Sequence, residues 1–95
     1  MGSIVNVSSQ MGQTALSKMM EASVYASSKA AVDMMIKYAA MENAKRIRVN
    51  NANPGLIKTD MTGGFSEDAV GKMQLIGRKG TVEEVANVVA FLASD

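Results

Sequence analysis

Tyr25 and Lys29 form the first pair of side chains in the sequence that could transfer a proton. Since they are four residues apart, a helix would place them on the same face, one turn from each other. A tyrosine hydroxyl is by itself a poor acid–base group at neutral pH. A lysine ammonium one turn away favours the phenolate form and so makes proton transfer easier. The pair is a candidate acid–base site, and the alternative interpretation of these two residues taken alone is an ordinary helix-surface pair.

Hydroxyl and amide groups follow the two predicted strands of the sequence. Ser8 and Ser9 come after the β-branched run 3–7, and the segment NNANPGLIKT at 50–59 closes the second strand. In open α/β sheets, ligands bind outside the carboxyl ends of the strands. These segments are therefore candidate binding residues, and a local turn or helix cap is the alternative interpretation of each.

The composition excludes several classes of site. The chain has no cysteine and no histidine, which rules out a cysteine nucleophile, a disulfide framework and the commonest zinc ligands, so no metal site is predicted. Ten basic and nine acidic residues are dispersed and give a net charge of +1, which argues against nucleic acid or an anionic membrane as partner. No apolar run approaches the ~20 residues of a membrane span, and no secretory signal begins the sequence. We therefore expect a cytoplasmic protein.

Hydrophobic periodicity predicts five elements. They are a strand at 3–7, a helix at about 24–43, a strand at 46–52, a helix at 66–76 and a final helix that begins with a capping box of Thr81 and Glu84. Residues 8–23 are predicted to be mostly loop, with one helical turn near Met19. The order β-α-β-α-α predicts an α/β fold, a partial Rossmann-like doubly wound parallel sheet in a single partial domain at 1–95. Two strands make a very small sheet, so the pattern is typical of part of a larger one.

The long helix has an unusually wide apolar surface. Val32, Met35, Ile36, Ala39 and Ala40 form one stripe with helical spacing. Further apolar residues lie beyond that stripe, namely Ala30, Ala31, Met34, Tyr38 and Met41. We therefore expect the helix to be covered on more than one side.

Four segments, in this order, resemble the short-chain dehydrogenase/reductase family. They are GSIVNVSS at 2–9, YASSK at 25–29, RVNNANPGLIKTDM at 48–61 and VEEVANVVAFLASD at 82–95. The resemblance covers essentially all 95 residues. The last segment is similar to 3-oxoacyl-carrier-protein reductases, and the Ser-Ser-Gln stretch is similar to carbonyl and xylulose reductases.

This resemblance implies an NAD- or NADP-dependent oxidoreductase that acts on a small carbonyl or alcohol substrate. Tyr25 would exchange a proton with the substrate oxygen, Lys29 would assist Tyr25 and bind the nicotinamide ribose, and Ser9 would hold the substrate oxygen. The residues implied to line the nicotinamide are Pro54, Gly55 and Thr59. Residues 61–76 would form a mobile substrate-binding segment with a hinge at Gly63 and Gly64.

The sequence also departs from the family pattern. It contains no GxxxGxG turn, so the pyrophosphate-binding part of the amino-terminal half is missing, and the resemblance implies that the chain alone is weak or inactive. Ser9 precedes Tyr25 by 16 positions, which is longer than the usual family spacing and predicts an insertion within residues 17–22. Met11, Met19 and Met20 fall in or near this loop and could form a substrate wall or pack against a neighbouring subunit or a missing element.

A second function belongs to a different class. A wide apolar helix and an incomplete sheet with open edges are also typical of a non-enzymatic truncated fragment that acts as an oligomerisation or assembly module. The expected partners are accordingly a small-molecule substrate and either further copies of the chain or the missing amino-terminal half.

Overall fold

Two parallel strands form the centre of the computed structural model, which describes residues 1–15 and 22–94. β1 spans Gly2–Val7 and β2 spans Ile47–Ala52, and the two are paired in register along their whole length. The pairing continues past β1, because the N–H of Ser8 donates to the carbonyl of Ala52 at 2.8 Å. The predicted parallel pair is confirmed, and its two carboxyl ends lie at the same edge.

A long helix connects the two strands. After β1 the chain makes one short 3-10 helix, Gln10–Gly12, and then α1 spans Ser23–Glu42. The helical turn predicted near Met19 lies outside the described residues, as does most of the predicted insertion at 17–22. The strand–helix–strand unit that the sequence predicts is therefore present, with α1 within one residue of its expected bounds.

Two helices follow β2. A 3-10 helix at Asp60–Thr62 precedes α2, which spans Glu67–Met73, and α3 spans Val82–Ala93. The prediction that α2 continues to residue 76 is wrong. The backbone becomes extended at Gln74, whose side chain accepts a hydrogen bond from the N–H of Leu56 and donates one to the carbonyl of Arg78. These contacts with residues outside the helix draw the chain out of its helical path.

The two long helices pack on opposite faces of the strand pair. Ser3 and Arg48 face each other in register, and both side chains donate to the carbonyl of Leu92 near the end of α3. Asn51 is three residues after Arg48 on β2, so its side chain points to the other face of the sheet, where it donates to Asp33 of α1. Since neighbouring residues of a strand point to opposite faces, α3 covers one face and α1 the other. This layering is that of a doubly wound α/β sheet.

Few apolar side chains are buried in the described part of the chain. The buried ones are Val49, Ala52, Leu56 and Val70, of which Val70 is fully enclosed. On α1 the predicted apolar stripe is only partly covered, since Met35 is 60% exposed, whereas Asp33 is buried. No helix within residues 1–15 and 22–94 is long and apolar enough to cross a membrane.

Candidate active site

Ser8 and Ser9 lie at the carboxyl edge of the strand pair and are both buried. Ser9 begins the 3-10 helix, and its Oγ accepts a hydrogen bond from the N–H of Met11 at 3.1 Å. The Ser9 hydroxyl thus uses one acceptor position for the cap and retains its proton for another partner. Ser8 instead turns to α1, where its Oγ donates to the carbonyl of Lys29 at 3.4 Å.

Tyr25 and Lys29 lie in the first two turns of α1, on one face, as their spacing predicts. The Nζ of Lys29 is 5.5 Å from the centroid of the Tyr25 ring, within the range of a cation–π contact. Tyr25 is 40% exposed, and Lys29 is half-buried. The lysine therefore places its positive charge beside a phenol that a ligand can reach.

The 3-10 helix packs directly on the main chain of α1 at Lys29. A Cβ added to Gly12 would lie 2.9 Å from the carbonyl carbon of Lys29 and 2.9 Å from the N–H nitrogen of Ala30. Together with the Ser8 hydrogen bond, this close approach joins the serine-bearing turn to the helix that carries Tyr25. The structure thus brings the segments of Ser9, Tyr25 and Lys29 together, with Lys29 at the point of contact.

The Pro54–Gly55 turn lies at the same edge. The carbonyl of Pro54 accepts a hydrogen bond from the N–H of Gln10 at 2.9 Å, which ties the turn to the residue after Ser9. Gly55 is exposed, and the space beside it holds the side-chain amides of Gln10 and Gln74. A Cβ on Gly55 would collide with both amides, so the absence of a side chain keeps the backbone of this turn accessible to amide groups.

Thr59 is exposed and lies farther along the chain, where it begins the 3-10 helix at 60–62. Its N–H donates to the Oγ1 of Thr62 at 3.2 Å. Within the part of the chain that the structure describes, no hydrogen bond connects the Thr59 side chain to Ser9, Tyr25 or Lys29. The contacts of Thr59 lie within its own 3-10 helix and do not connect it to the other predicted site residues.

An open cavity of about 430 Å³ adjoins the Gly55–Leu56 turn. The end of α2 and the residues after it form one side, from Met73 to Ile76, while Gln10 and Leu56 form part of the other. This wall belongs to the segment 61–76, for which the family resemblance implies a role in substrate binding. The segment thus reaches the strand edge through its last four residues.

Asp33 is the functional candidate that sequence reasoning missed. Its Oδ1 accepts hydrogen bonds from the side-chain amides of Asn51 at 2.5 Å and of Asn53 at 2.9 Å. The amide of Asn53 also donates to the main-chain carbonyl of Ser9 at 3.1 Å. The available signal was the repeated spacing of four from Tyr25 to Lys29 to Asp33.

The Asp33 carboxyl is held in its ionised form. Burial raises its pKa, but the hydrogen bonds from the side-chain amides of Asn53 and Asn51 and the positive charge of Lys37 outweigh that effect, so the pKa lies below its ordinary value. At neutral pH this group is an acceptor only, and it cannot serve as a general acid. The carboxylate accepts hydrogen bonds from the two side-chain amides.

The family model described as enoyl-(acyl carrier protein) reductase matches residues 1–95. The chain is 44% identical over 95 residues to a cyclohexanol dehydrogenase of Acinetobacter sp. (strain SE19), an alignment that covers 99% of this chain and 37% of the relative. The chain thus spans well under half the length of that relative.

Solved structures agree with the sequence match. The structure of ElxO with NADP bound is 38% identical with a TM-score of 0.84, and the match covers 99% of this chain and 40% of that one. A short-chain dehydrogenase/reductase from Serratia marcescens BCRC 10948 is 35% identical with a TM-score of 0.86, over 99% of this chain and 39% of its own. Sequence and fold point to the same group of proteins, and the chain belongs to the short-chain dehydrogenase/reductase family.

Proposed function

We propose that the chain is the proton-transfer part of an NAD(P)-dependent oxidoreductase that acts on a small carbonyl or alcohol, of the class to which cyclohexanol belongs. One observation carries the proposal most directly. The helix that bears Tyr25 and Lys29 packs, at Lys29 itself, against the serine-bearing turn at the carboxyl edge of a parallel strand pair. Ligands of open α/β sheets bind at such an edge.

The roles follow from the chemistry of each group. Tyr25 exchanges a proton with the substrate oxygen, and Lys29, whose ammonium lies beside the Tyr25 ring, binds the nicotinamide ribose. Ser9, whose hydroxyl proton is not used by the helix cap, donates to the same oxygen. The nicotinamide, when bound, supplies or accepts the hydride.

The Pro54–Gly55–Leu56 turn fits the nicotinamide end of such a cofactor. The N–H of Leu56 already binds a carboxamide, since it donates to the Oε1 of Gln74 at 2.5 Å. A nicotinamide carries the same functional group. Gly55 leaves the backbone of the turn open to it, and Thr59 offers a hydroxyl to the carboxamide from farther along the chain.

The adenosine and pyrophosphate of a dinucleotide need further residues. The sequence has no glycine-rich turn to bind a pyrophosphate, and the matched relatives are more than twice as long as the match. We therefore propose that the chain alone binds NADPH or NADH poorly and is a weak or inactive catalyst. The residues that bind the adenosine and pyrophosphate would be those equivalent to the amino-terminal part of the relatives.

A chimera tests this function. The 95 residues replace the matching segment of the Acinetobacter cyclohexanol dehydrogenase, and oxidation of cyclohexanol is measured with NAD and with NADP, beside the 95-residue chain alone. We expect activity in the chimera and little in the chain alone. Tyr25→Phe should reduce kcat by at least about a hundredfold, since general acid–base catalysis contributes about 10²–10⁴.

Tyr38→Phe is the matched control, because Tyr38 is an exposed tyrosine on the same helix. It should leave kcat unchanged. A folded chimera that binds the dinucleotide but does not oxidise cyclohexanol would contradict the proposal, and so would full activity in Tyr25→Phe.

The second candidate function, an assembly module, is favoured by one surface of α1. Met34, Tyr38 and Met41 recur at helical spacing and are 53%, 55% and 66% exposed; we call these three residues the Met34 stripe. A contiguous apolar stripe on a small protein marks an interaction surface. A module of this kind would associate with itself and would have no affinity for a dinucleotide.

A further inference from the structure

Asp33 continues the row of side chains that begins with Tyr25 and Lys29 on α1. The three residues are spaced by four, so they lie along the same face of α1. Asp33 is 9% exposed and is the buried member of the row. Aspartate is seldom buried to this extent unless its charge is paired or hydrogen-bonded, which makes its contacts informative.

Those contacts form a two-step connection from α1 to Ser9. The Oδ1 of Asp33 accepts from the amide of Asn53 at 2.9 Å, and the same amide nitrogen donates to the carbonyl of Ser9 at 3.1 Å. The two protons of one amide group thus bind two different elements. Asn53 is held from the helix side by a carboxylate, and in turn it holds the main chain of Ser9.

Packing alone does not account for a carboxylate at this position. One oxygen, Oδ1, takes both amide donors, while Oδ2 has no hydrogen-bond partner among the residues that the structure describes. A buried oxygen without a partner is a cost that an apolar residue would avoid. The carboxylate instead gives the amide bonds the strength of charge-assisted hydrogen bonds.

We propose that Asp33 is a positioning residue, which acts through Asn53 to hold Ser9 in register with Tyr25 and Lys29. This inference rests on the proposed function of those three residues. The substrate oxygen must meet the hydroxyls of Ser9 and Tyr25 together, and Asp33 fixes the strand edge that bears one against the helix that bears the other. Small displacements of such groups have large effects on rate.

A charge swap separates positioning from stability. Asn53→Asp alone places two carboxylates face to face and removes the donor to Ser9. In the double variant Asp33→Asn, Asn53→Asp, the amide–carboxylate pair is restored with its direction reversed, but the carboxylate now at position 53 is an acceptor and cannot donate to the Ser9 carbonyl. The swap therefore restores the hydrogen bond between positions 33 and 53 but leaves the Ser9 carbonyl without its amide donor.

The variants are measured in the chimera with cyclohexanol dehydrogenase. We expect Asn53→Asp to lower both the urea midpoint and kcat, and the swap to recover the midpoint but to keep kcat at least about tenfold below wild type. The KM for the dinucleotide should stay within about twofold in the swap, because the positioning acts on the transition state. Recovery of kcat together with the midpoint would overturn the proposal and leave Asp33 a purely structural residue.

Glu42→Gln is the matched control, since Glu42 is an exposed carboxylate on the same helix, and it should change neither quantity. A second readout does not depend on activity. In the 95-residue chain, the carbonyl ¹³C signal of Ser9 should shift in Asn53→Asp and in the swap, but not in Glu42→Gln. An unshifted Ser9 signal would overturn the connection through Asn53, whereas an active Tyr25→Phe chimera would refute the proposed function instead.

Discussion

At the scale of single residues, the separation between the serine-bearing turn and α1 depends on a missing side chain at Gly12. A Cβ there would meet the Oδ2 of Asp33 at 2.8 Å and two main-chain atoms of α1 at 2.9 Å. Main-chain atoms of a helix cannot swing aside as the end of a flexible side chain can. Gly12 therefore allows an approach that no other residue type permits.

Gly12→Ala should destabilise the protein by about 1–3 kcal/mol, the usual cost of adding an atom to a filled space. The measurement is urea unfolding followed by circular dichroism. Gly64→Ala is the control, because no atom lies within 4 Å of the Cβ it would add, and its effect should stay within about 0.5 kcal/mol. Equal stability of both variants would show that the turn and α1 can separate without cost.

At the scale of elements, the side chain of Glu84 stabilises the beginning of α3. Its Oε1 accepts from the N–H of Thr81, while the Thr81 hydroxyl accepts from the N–H of Glu84. Arg78 adds an ion pair at 2.8 Å. Hydrogen bonds from Arg78 and from the Thr81 main chain lower the pKa of Glu84 to about 2.

The stability of the chain should therefore depend on pH through Glu84. Because its pKa is lower in the folded than in the unfolded chain, where it is near 4.5, the contribution is complete above pH 4.5 and is lost as the pH falls toward 2. Urea midpoints measured across that range should fall more steeply in wild type than in Glu84→Gln. Glutamine still accepts from Thr81 but cannot form the ion pair.

Salt provides the control for this prediction. Arg78 and Glu84 are about half exposed, so added salt should screen their attraction and reduce the difference between wild type and Glu84→Gln. A difference that salt does not change would assign the pH dependence to the hydrogen bond from the N–H of Thr81 and not to the ion pair.

The elements also show which features the sequence can predict. The strands, α1 and the capping box at Thr81 and Glu84 were predicted because their signals lie within a few consecutive residues. The early end of α2 was not, because Gln74 leaves the helix for a partner 18 positions away, Leu56. The spacing of residues within a helix cannot predict a hydrogen bond to a residue 18 positions away.

The candidate site divides in the same way. Tyr25 and Lys29 share a helix face, which their spacing alone predicts, and that arrangement is confirmed. Asp33 shares that spacing, but its importance depends on Asn51 and Asn53, which only the packing of α1 against β2 brings within reach. Thr59 was proposed from a resemblance, and a contact with the other site residues would require a group that bridges them.

At the scale of the whole molecule, more large apolar side chains are exposed than buried among residues 1–15 and 22–94. Val70 is fully enclosed, whereas Ile4 and Val7 in β1 are each 50% exposed. Covering a half-exposed side chain of this size is worth about 1 kcal/mol. Both proposed functions provide such cover, either by the amino-terminal part of a domain or by a second copy.

Sedimentation velocity distinguishes a second copy from a monomer. If the Met34 stripe is an interface, the sedimentation coefficient should increase with protein concentration, and Met34→Glu should shift the association to higher concentration because a charge would be buried without a partner. Leu75→Glu is the matched control, since Leu75 is fully exposed but lies outside α1. A monomer at all concentrations would exclude the assembly module.

The pairing of Asp33 with Asn53 has a consequence for how this protein can evolve. Either residue alone loses its partner when the other changes: an apolar residue at position 33 takes an acceptor from the half-buried amide of Asn53, and an apolar residue at position 53 leaves a buried carboxylate short of a donor. Replacement of both by apolar residues is costly too, since it removes the donor to the Ser9 carbonyl and the acceptor of the Asn51 amide. Descendants of this sequence that keep its activity should therefore keep the two residues together, although they lie 20 positions apart in the chain.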